Sequence, residues 1–226
     1  GSLLIAHSDT QPQGIPFLQR CLDGPAVVAR LGSERLEELY ESTERWHDLV
    51  RHLEGMLKKN ELIDDVRFRV RLAELMDAKL TDPSRALTVL MTVKADGDKE
   101  VLLARVDLQR RLKMFAQLEV SLDALSHVLI EPVQVADVHA ERGDLLRFEL
   151  NRSETAIEAY GSAVACDPSQ VGALKGLVDL YREQERFGEL ASTIEQMVGY
   201  TDGFEKVDLL TELSRVRLEQ LGRRES

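Results

Sequence analysis

Apolar residues recur at helical spacing along most of the chain. One clear stretch lies between positions 46 and 58, where steps of three and four residues join Trp46, Leu49, Val50, Leu53, Met56 and Leu57. Such steps place the side chains on one face of an α-helix. No uninterrupted stretch in which apolar and polar residues alternate competes with this period. The pattern therefore predicts an all-α chain.

Turn-forming residues divide this pattern into a series of helices. Asp82-Pro83 is typical, because Asp82 can cap a helix and Pro83 at its first position loses no needed N–H group. Such breakers exclude one long coiled coil. The predicted helices cover residues 33–43, 46–58, 65–80, 83–93, 99–111, 114–129, 133–150, 153–166, 169–184, 187–199 and 204–221.

The ends of the chain are less regular. Residues 1–14 are polar and poorly patterned, which predicts an extended or disordered arm, and Gly1-Ser2 resembles the remnant of an expression tag. Short apolar turns at 15–22 and 26–31 predict an N-terminal helical cap over 15–32, and the regular repeats then cover 33–221. Residues 222–226 are predicted to be a tail.

The pattern repeats along the chain. The stretch 40–49 matches 181–190 at an offset of 141 residues, with Phe115 standing in the slot of Trp46 and Phe187. A shared slot at the start of a second helix predicts a packing role for these three aromatic side chains. A second alignment places Ala86 on Ala156 at an offset of 70 residues. The repeating unit is therefore two helix pairs of about 35 residues each, and such pairs need neighbours to bury their apolar faces.

The best repeat combines Ala156-x3-Tyr160 with Ala163 and Asp167-Pro168. This spacing resembles the second helix of the tetratricopeptide repeat (TPR) family over residues 33–221. The resemblance implies a right-handed solenoid of about five to six stacked antiparallel helix pairs that binds other proteins. The family's first-helix signature is mostly absent, which leaves a TPR-like variant or another α-solenoid. Such repeats resemble those of large multi-repeat bacterial proteins, so we expect a fragment of a longer protein.

The last predicted helix, 204–221, aligns with a first helix of a pair. At the offset of 141, Leu221 falls on Leu80, just before a second helix begins. Either this helix caps the array or the array continues. Its polar positions, among them Asp208, Glu212 and Arg215, predict an outer face polar enough for a cap.

The net charge of the chain is -11, and it is distributed unevenly. Residues 114–226 carry 11 basic and 21 acidic side chains, a net charge of -10. An acidic chain repels phosphate backbones, so we expect no nucleic-acid partner. No apolar run reaches the ~18 residues of a membrane span. Cys21 and Cys166 fit reduced core thiols, which predicts a cytoplasmic protein.

We find no pattern that indicates catalysis, a metal or a cofactor. His47 and His52 are five residues apart, which is not the i, i+4 spacing of a helical metal site. Gly97, Gly143 and Gly203 are isolated, so they form no phosphate-binding loop. The sequence therefore predicts a non-enzymatic protein without a cofactor.

Charged first-helix positions change sign along the array. Equivalent positions carry Arg67, Asp137 and Asp208, and a second set carries Arg71, Glu141 and Glu212. On an exposed face, either sign of charge is expected to be compatible with the packing of the helices, whereas the binding of a charged partner depends on the sign. In the TPR family first helices line the concave surface. Together with nearby basic residues, these positions predict a groove whose first half binds an acidic segment and whose second half binds a basic one. The nearby residues are Arg69, Arg105 and Arg142.

Three alternatives accompany this prediction. The charges can be interpreted as solvated i, i+4 pairs without a partner. The chain can be interpreted as a structural spacer or self-association module, or as a regulatory domain that binds a peptide. Concentration-dependent mass would favour self-association, and saturable binding of a short peptide would favour the regulatory domain.

Overall fold

The computed structural model describes residues 11–59, 66–93 and 97–221. Its elements in this part of the chain are all helical, as the apolar pattern predicts. Most of the predicted N-terminal arm and the predicted tail lie outside the described residues. The chain divides into two compact units, Gly1–Val93 and Lys94–Ser226.

The described part of the first unit contains five helices. They are α1 (Gln11–Cys21), α2 (Ala26–Ser42), α3 (Trp46–Lys59), α4 (Val66–Ala78) and α5 (Pro83–Met91). The carboxylate of Asp82 accepts a hydrogen bond from the Arg85 backbone N–H at 3.1 Å, which confirms the predicted cap of α5.

The described part of the second unit contains seven helices. They are α6 (Lys99–Arg111), α7 (Phe115–Val128), α8 (Pro132–Asp144), α9 (Ser153–Cys166), α10 (Val171–Glu183), α11 (Phe187–Val198) and α12 (Gly203–Arg215). A π-helical segment, Leu145–Glu149, continues α8, and another, Val216–Leu221, continues α12.

Consecutive helices pack as pairs. Helix α2 contacts α3, α4 contacts α5, and the second unit contains the pairs α6–α7, α8–α9 and α10–α11. The connections within these pairs are short, so the two helices of a pair run antiparallel. We call the earlier member of each pair a first helix and the later member a second helix. The chain thus has an all-α, solenoid-like fold, as predicted, while the handedness of the array stays a prediction.

The same turn joins the two helices of every pair. Among the residues that the structure describes, five non-glycine residues have positive φ, and each lies in one of these turns, at Glu44, Thr81, Lys113, Asn151 and Glu185. After α6 the Met114 N–H donates to the Gln109 carbonyl at 2.9 Å, a bond that closes over a left-handed residue in the Schellman motif. A recurrent turn makes the pairs alike although their sequences differ.

The core of the second unit is tightest around Tyr160 of α9. This side chain is buried between α8 and α10, in a cluster that includes Ala136 and Leu177. A β-carbon on Gly143 or on Gly176 would lie 2.5 Å from atoms of the Tyr160 ring. The two glycines therefore admit an aromatic ring where neighbouring repeats place smaller side chains.

The aromatic residues that open second helices pack as predicted in the second unit. Phe115 begins α7 and packs on the cluster around Leu122, and Phe187 begins α11 and packs on the cluster around Ile194. Trp46 begins α3, where the Lys79 ammonium group lies 4.7 Å from the centre of its ring. The repeat alignment therefore located the starts of these helices correctly.

The predicted break between 26–31 and 33–43 is wrong, because α2 is continuous through Ser33. A β-carbon on Gly32 would lie 2.9 Å from Cβ of Cys21, so the small residue allows α1 to approach closely. Ser33 is buried, and its hydroxyl lies 2.9 Å from Nε2 of His52 in α3. This small, polar pair serves interhelical packing and does not begin a helix. Helix α1 likewise begins at Gln11, inside the predicted arm.

The outer side of α12 also differs from the prediction. Leu209 and Leu213 are buried against the rest of the unit. Phe204 is 91% exposed, and Val207 and, in the π-helical segment that continues α12, Leu218 are exposed as well. The helix is therefore apolar on two sides, and the prediction of a polar outer face is wrong. The polar residues on which it rested share the surface with this apolar stripe.

Candidate protein-binding face

Charged side chains join successive first helices. In the first unit, the Arg71 guanidinium of α4 donates to Glu37 at 3.0 Å and to Glu41 at 2.5 Å, both on α2. In the second unit, Arg110 of α6 donates through two nitrogens to Oε1 of Glu141 on α8, at 2.9 and 2.6 Å. These bonds lie between helices, so they are not the i, i+4 pairs that the alternative interpretation expected.

The same arrangement continues through the rest of the second unit. Arg147, just after α8, donates to Asp179 at 3.2 Å and to Glu183 at 2.7 Å on α10. Arg182 of α10 donates to both carboxylate oxygens of Glu212 on α12, at 2.9 and 3.0 Å. Arg182 also donates to Asp179 at 2.8 Å, which links the two groups into one network.

These pairs account for the change of sign in one of the two sets of equivalent positions. Arg71, Glu141 and Glu212 each meet an opposite charge on the preceding first helix. The pair Glu41–Arg71 corresponds to Arg182–Glu212 at the offset of 141, with the two charges exchanged. The expectation that intramolecular packing is indifferent to this sign is therefore wrong. The role of these positions in binding stays a prediction.

The ion pairs raise the pKa values of their arginines further. Hydrogen bonding to Glu212 is the main cause that raises the pKa of Arg182 above its usual value, although burial opposes it. For Arg147, burial acts most strongly and lowers the pKa, but hydrogen bonds and the charges of Asp179 and Glu183 outweigh it and the net shift is upward. Surface pairs of this kind stabilise a fold by only about 0–1 kcal/mol each.

Two predicted site residues lie away from the first-helix contacts. Arg69 donates to the Thr92 hydroxyl at 2.5 Å, directly after α5. Arg142 donates to Glu119 at 2.8 and 2.6 Å and also pairs with Asp123, and both acids are on α7. Their side chains therefore join a first helix to a second helix. Packing within the pair α4–α5 explains the contact of Arg69, packing of α8 on the preceding second helix α7 explains those of Arg142, and the structure does not bring the two residues to the predicted groove.

The remaining predicted residues differ in their surroundings. Arg67 is exposed on α4, and Arg105 is half-buried on α6. Asp137 of α8 accepts a hydrogen bond from the Gln170 amide at 2.6 Å. Asp208 of α12 is exposed, and no ion pair joins Asp137 or Asp208 to a basic residue within the described ranges.

Asp208 lies in a shallow cleft between α10 and α12. The cleft has a volume of about 390 Å³ and is lined by Arg182, Asp208, Thr211, Glu212 and Arg215. Its walls carry both signs of charge, which suits polar side chains of a partner better than an apolar ligand. Two of the predicted residues, Asp208 and Glu212, therefore do share one surface.

Sequence reasoning missed Phe148, which the π-helical segment after α8 exposes. Its side chain is 63% exposed, and the Arg147 guanidinium lies 4.9 Å from the centre of its ring. The arginines at 110, 147 and 182 recur every 35 to 37 residues, and each donates to the next first helix. This recurrence was the available signal for the network. Nothing in the sequence indicated the exposed ring of Phe148, because an apolar residue at this position of the helical pattern is expected to lie in the core.

The described ranges contain no group of three or more histidine, cysteine or acidic residues able to hold a metal ion. Within the same ranges, no helix combines the length and the apolar character needed to cross a membrane. Cys21 and Cys166 are both free thiols.

Helix pairs that share one left-handed turn, with Ala156, Tyr160 and Ala163 buried in a second helix, define a TPR-like all-α fold. No protein-family model matches the chain, and no curated protein matches it in sequence.

Several solved structures share parts of this arrangement. MamA has 13% sequence identity and a TM-score of 0.48, over 73% of this chain and 93% of its own. YrrB, described as a TPR protein with an unusual peptide-binding site, has 10% identity and a TM-score of 0.47, over 75% of this chain and 94% of its own. TTC0263, a thermophilic TPR protein in Thermus thermophilus, has 18% identity and a TM-score of 0.38, over 83% of this chain and 98% of its own. Since these TM-scores lie below 0.5, the fold assignment rests on the helix pairing within the chain.

Proposed function

We propose that the chain is a non-catalytic scaffold that binds another protein through the first helices of its second unit. The binding surface is the first-helix face, which we define by the charged residues that join first helices α6, α8, α10 and α12 or line the cleft. Seven are acidic and five are basic: Asp137, Glu141, Asp179, Glu183, Glu205, Asp208, Glu212, Arg110, Arg147, Lys175, Arg182 and Arg215.

The observation that carries this proposal is the acidic charge left after internal pairing. Arg110, Arg147 and Arg182 are each bound to carboxylates, whereas Asp137 and Asp208 form no ion pair with a basic side chain within the described ranges. A partner that brings lysine or arginine to these two acids gains attraction and displaces no internal pair. We therefore propose a basic segment as the partner, in agreement with the charge of the second half of the chain.

Phe148 supports the same partner. An exposed aromatic ring beside a charged surface is a common feature of protein-binding sites. Because Arg147 already lies against this ring, the ring accepts cationic side chains, and a second arginine or lysine can stack on its open side. A basic segment with alternating apolar side chains would use both the ring and the acids.

A peptide-binding experiment with a matched control tests the proposal. The probe is a fluorescent synthetic peptide of alternating lysine and leucine, and its affinity is measured at low and high salt. Asp208→Lys should weaken binding about five- to tenfold, as expected for loss of one charge contact of about 1 kcal/mol. Glu158→Lys changes the net charge equally, but on the exposed side of second helix α9, so it should leave the affinity unchanged. Equal losses in both variants would show only non-specific attraction and contradict the proposal.

The predicted acidic ligand of the first unit has less support. The charge of Arg71 is offset by Glu37 and Glu41, and Arg69 contacts Thr92. That part of the groove stays a prediction. Binding of a glutamate-rich peptide that is lost in Arg67→Glu would support it, and unchanged binding would remove it.

A regulatory peptide-binding role would use the same first-helix face. Saturable binding at one peptide per chain would favour regulation, whereas simultaneous binding of two proteins would favour a scaffold. We further propose that the protein has no catalytic activity and no cofactor, and that it is part of a larger multi-repeat bacterial protein, as the TPR resemblance suggests. The two free thiols fit a cytoplasmic location.

A further inference from the structure

Exposed apolar side chains occur at two turns of the second unit that lead from a second helix to a first helix. Ile130 lies between α7 and α8 and is 90% exposed, and Val133 near the start of α8 is exposed as well. Tyr200 lies between α11 and α12, and Phe204 near the start of α12 is almost completely exposed. We call these four side chains the apolar edge. Exposed apolar side chains that recur in this way mark an interaction site.

The two turns correspond to each other in the repeat. The offset of 70 residues places Tyr200 on Ile130, and it places Phe204 on Gln134, next to Val133. Helix α8 is packed between α7 and α9, yet Ile130, Val133 and Gln134 are exposed. The exposure of Tyr200 and Phe204 is therefore typical of this turn in the repeat and needs no missing neighbour to explain it.

Each half of the apolar edge is accompanied by an acid on the same side of its helix. Asp137 follows Val133 by four residues in α8, and Asp208 follows Phe204 by four residues in α12. Residues four apart lie on one face of a helix. Both acids belong to the first-helix face, and neither forms an ion pair with a basic side chain within the described ranges. At both places, an apolar side chain thus lies beside an acid that has no internal counter-charge.

Contacts between helices join the two places into one row. The Gln170 amide just before α10 donates to Asp137 of α8 at 2.6 Å. The Lys175 ammonium group of α10 pairs with Glu205 of α12 at 2.7 Å. The N-terminal halves of α8, α10 and α12 therefore follow one another in this order, and the apolar edge is continuous with the first-helix face.

We propose that the apolar edge binds the apolar side chains of the same basic segment, an inference that rests on the proposed function. The surrounding charge selects this occupant. Glu131 and Asp202 lie exposed in the same two turns, so acids accompany the apolar side chains at both places. These acids attract lysine and arginine, whereas a second copy of the chain would bring the same acids against them. The bound segment packs apolar side chains on Val133 and Phe204 while its cations pair with the neighbouring aspartates.

Two fluorescent peptides that differ only in their uncharged residues test this inference. One alternates lysine with leucine and the other alternates lysine with serine, so both carry the same charge. The wild type should bind the leucine peptide about tenfold more tightly, since buried apolar area adds to the charge contacts. The double variant Val133→Ser/Phe204→Ser should reduce this preference to about threefold or less. It should leave the affinity for the serine peptide unchanged, because no charge is altered.

Val120→Ser is the matched control, since it removes an exposed apolar side chain from second helix α7. It should keep the wild-type preference, and circular dichroism should show all variants to be equally helical. An undiminished preference in the double variant, or an equal loss in Val120→Ser, would overturn the inference. A wild-type mass that rises with concentration, and that the double variant holds at the monomer, would also overturn it, because a second copy would then cover the apolar edge.

Failure of the apolar edge and failure of the proposed function give different results. If the wild type binds both peptides equally and Asp208→Lys weakens both, the first-helix face binds basic segments and the apolar edge takes no part. If neither peptide binds saturably, the proposed function fails and the role of the apolar edge fails with it.

Discussion

Gly143 of α8 lies against the ring of Tyr160 of α9 so closely that a β-carbon on the glycine would come within 2.5 Å of two ring carbons. The ring cannot move away, because Gly176 of α10 meets its other edge at a similar distance. The Tyr160 side chain thus sets the separation of three consecutive helices, and the absence of a β-carbon on the two glycines makes room for its ring.

Gly143→Ala should therefore destabilise the protein by roughly 1–3 kcal/mol, the usual cost of overpacking a core, although alanine is the better helix former. Urea unfolding followed by circular dichroism measures the change. Gly161→Ala is the matched control, since it is exposed in α9 and its β-carbon would meet no atom within 4 Å. The free energy of unfolding of the control should rise by about 0.5–1 kcal/mol. A similar rise in Gly143→Ala would show that the Tyr160 ring moves to make room for the β-carbon.

The Tyr160 hydroxyl gives the second prediction. It donates to Asp144 at 2.6 Å, and burial, followed by this hydrogen bond, raises its pKa well above the usual value. Tyr160→Phe should lose about 1 kcal/mol of stability at neutral pH, since one hydrogen bond is removed.

The pH dependence follows from the direction of that shift. In the unfolded chain the tyrosine ionises near its usual pKa of about 10, whereas the folded protein keeps it neutral. The contribution of Tyr160 is therefore complete below about pH 10 and falls as the pH rises further. The stability difference between the wild type and Tyr160→Phe, measured by urea unfolding from about pH 8 to about pH 11, should shrink above about pH 10. A constant difference would contradict the proposed cause.

The helix pairs were largely predictable because their signals are local. Asp82-Pro83 begins α5 through capping, and Trp46, Phe115 and Phe187 each begin a second helix at the same register of the repeat. The predicted helix start at Ser33 is wrong because a serine followed by Leu36 and Glu37 resembles a helix start in sequence, whereas this serine is buried inside α2. The role of Ser33 depends on its contact with His52 of α3, which is distant in sequence.

The candidate site was only partly predictable. Equivalence by offset correctly grouped Arg71, Glu141 and Glu212, but their partners come from other first helices and appear only when the helices are stacked. Arg142 shows the opposite failure, since a shift of one residue from Glu141 turns its side chain towards α7. Sequence periodicity predicts which residues share one face of a helix, but the partners of these residues depend on which helix packs beside that face.

The exchanged ion pairs give the third prediction. Arg182→Glu alone should cost about 0.5–1 kcal/mol, because two carboxylates then face each other across α10 and α12. Adding Glu212→Arg should recover part of this loss, since Glu41 and Arg71 show that the reversed order fits the equivalent helices. A double-mutant cycle by urea unfolding measures the coupling. Strictly additive losses would mean that the pair contributes nothing to helix stacking.

The left-handed turns give the fourth prediction. Lys113 has a φ of 55° between α6 and α7, a conformation that costs a residue with a β-carbon about 1–2 kcal/mol. Lys113→Gly should therefore raise the unfolding free energy by about 0.5–1 kcal/mol after the entropy of the unfolded glycine is subtracted. Lys113→Ala keeps the β-carbon and should give no gain. Equal stability of the two variants would show that the turn is not strained.

The central claim is that a basic partner binds the first-helix face of the second unit. Amide chemical-shift mapping of the isotope-labelled protein, titrated with the lysine–leucine peptide, tests it most directly. The account predicts saturable shifts near Asp137 and Glu141 in α8, Asp179 in α10 and Asp208 in α12, with Glu158 in α9 unaffected. Shifts centred on the second helices α7, α9 and α11, or no saturable shifts at all, would contradict it.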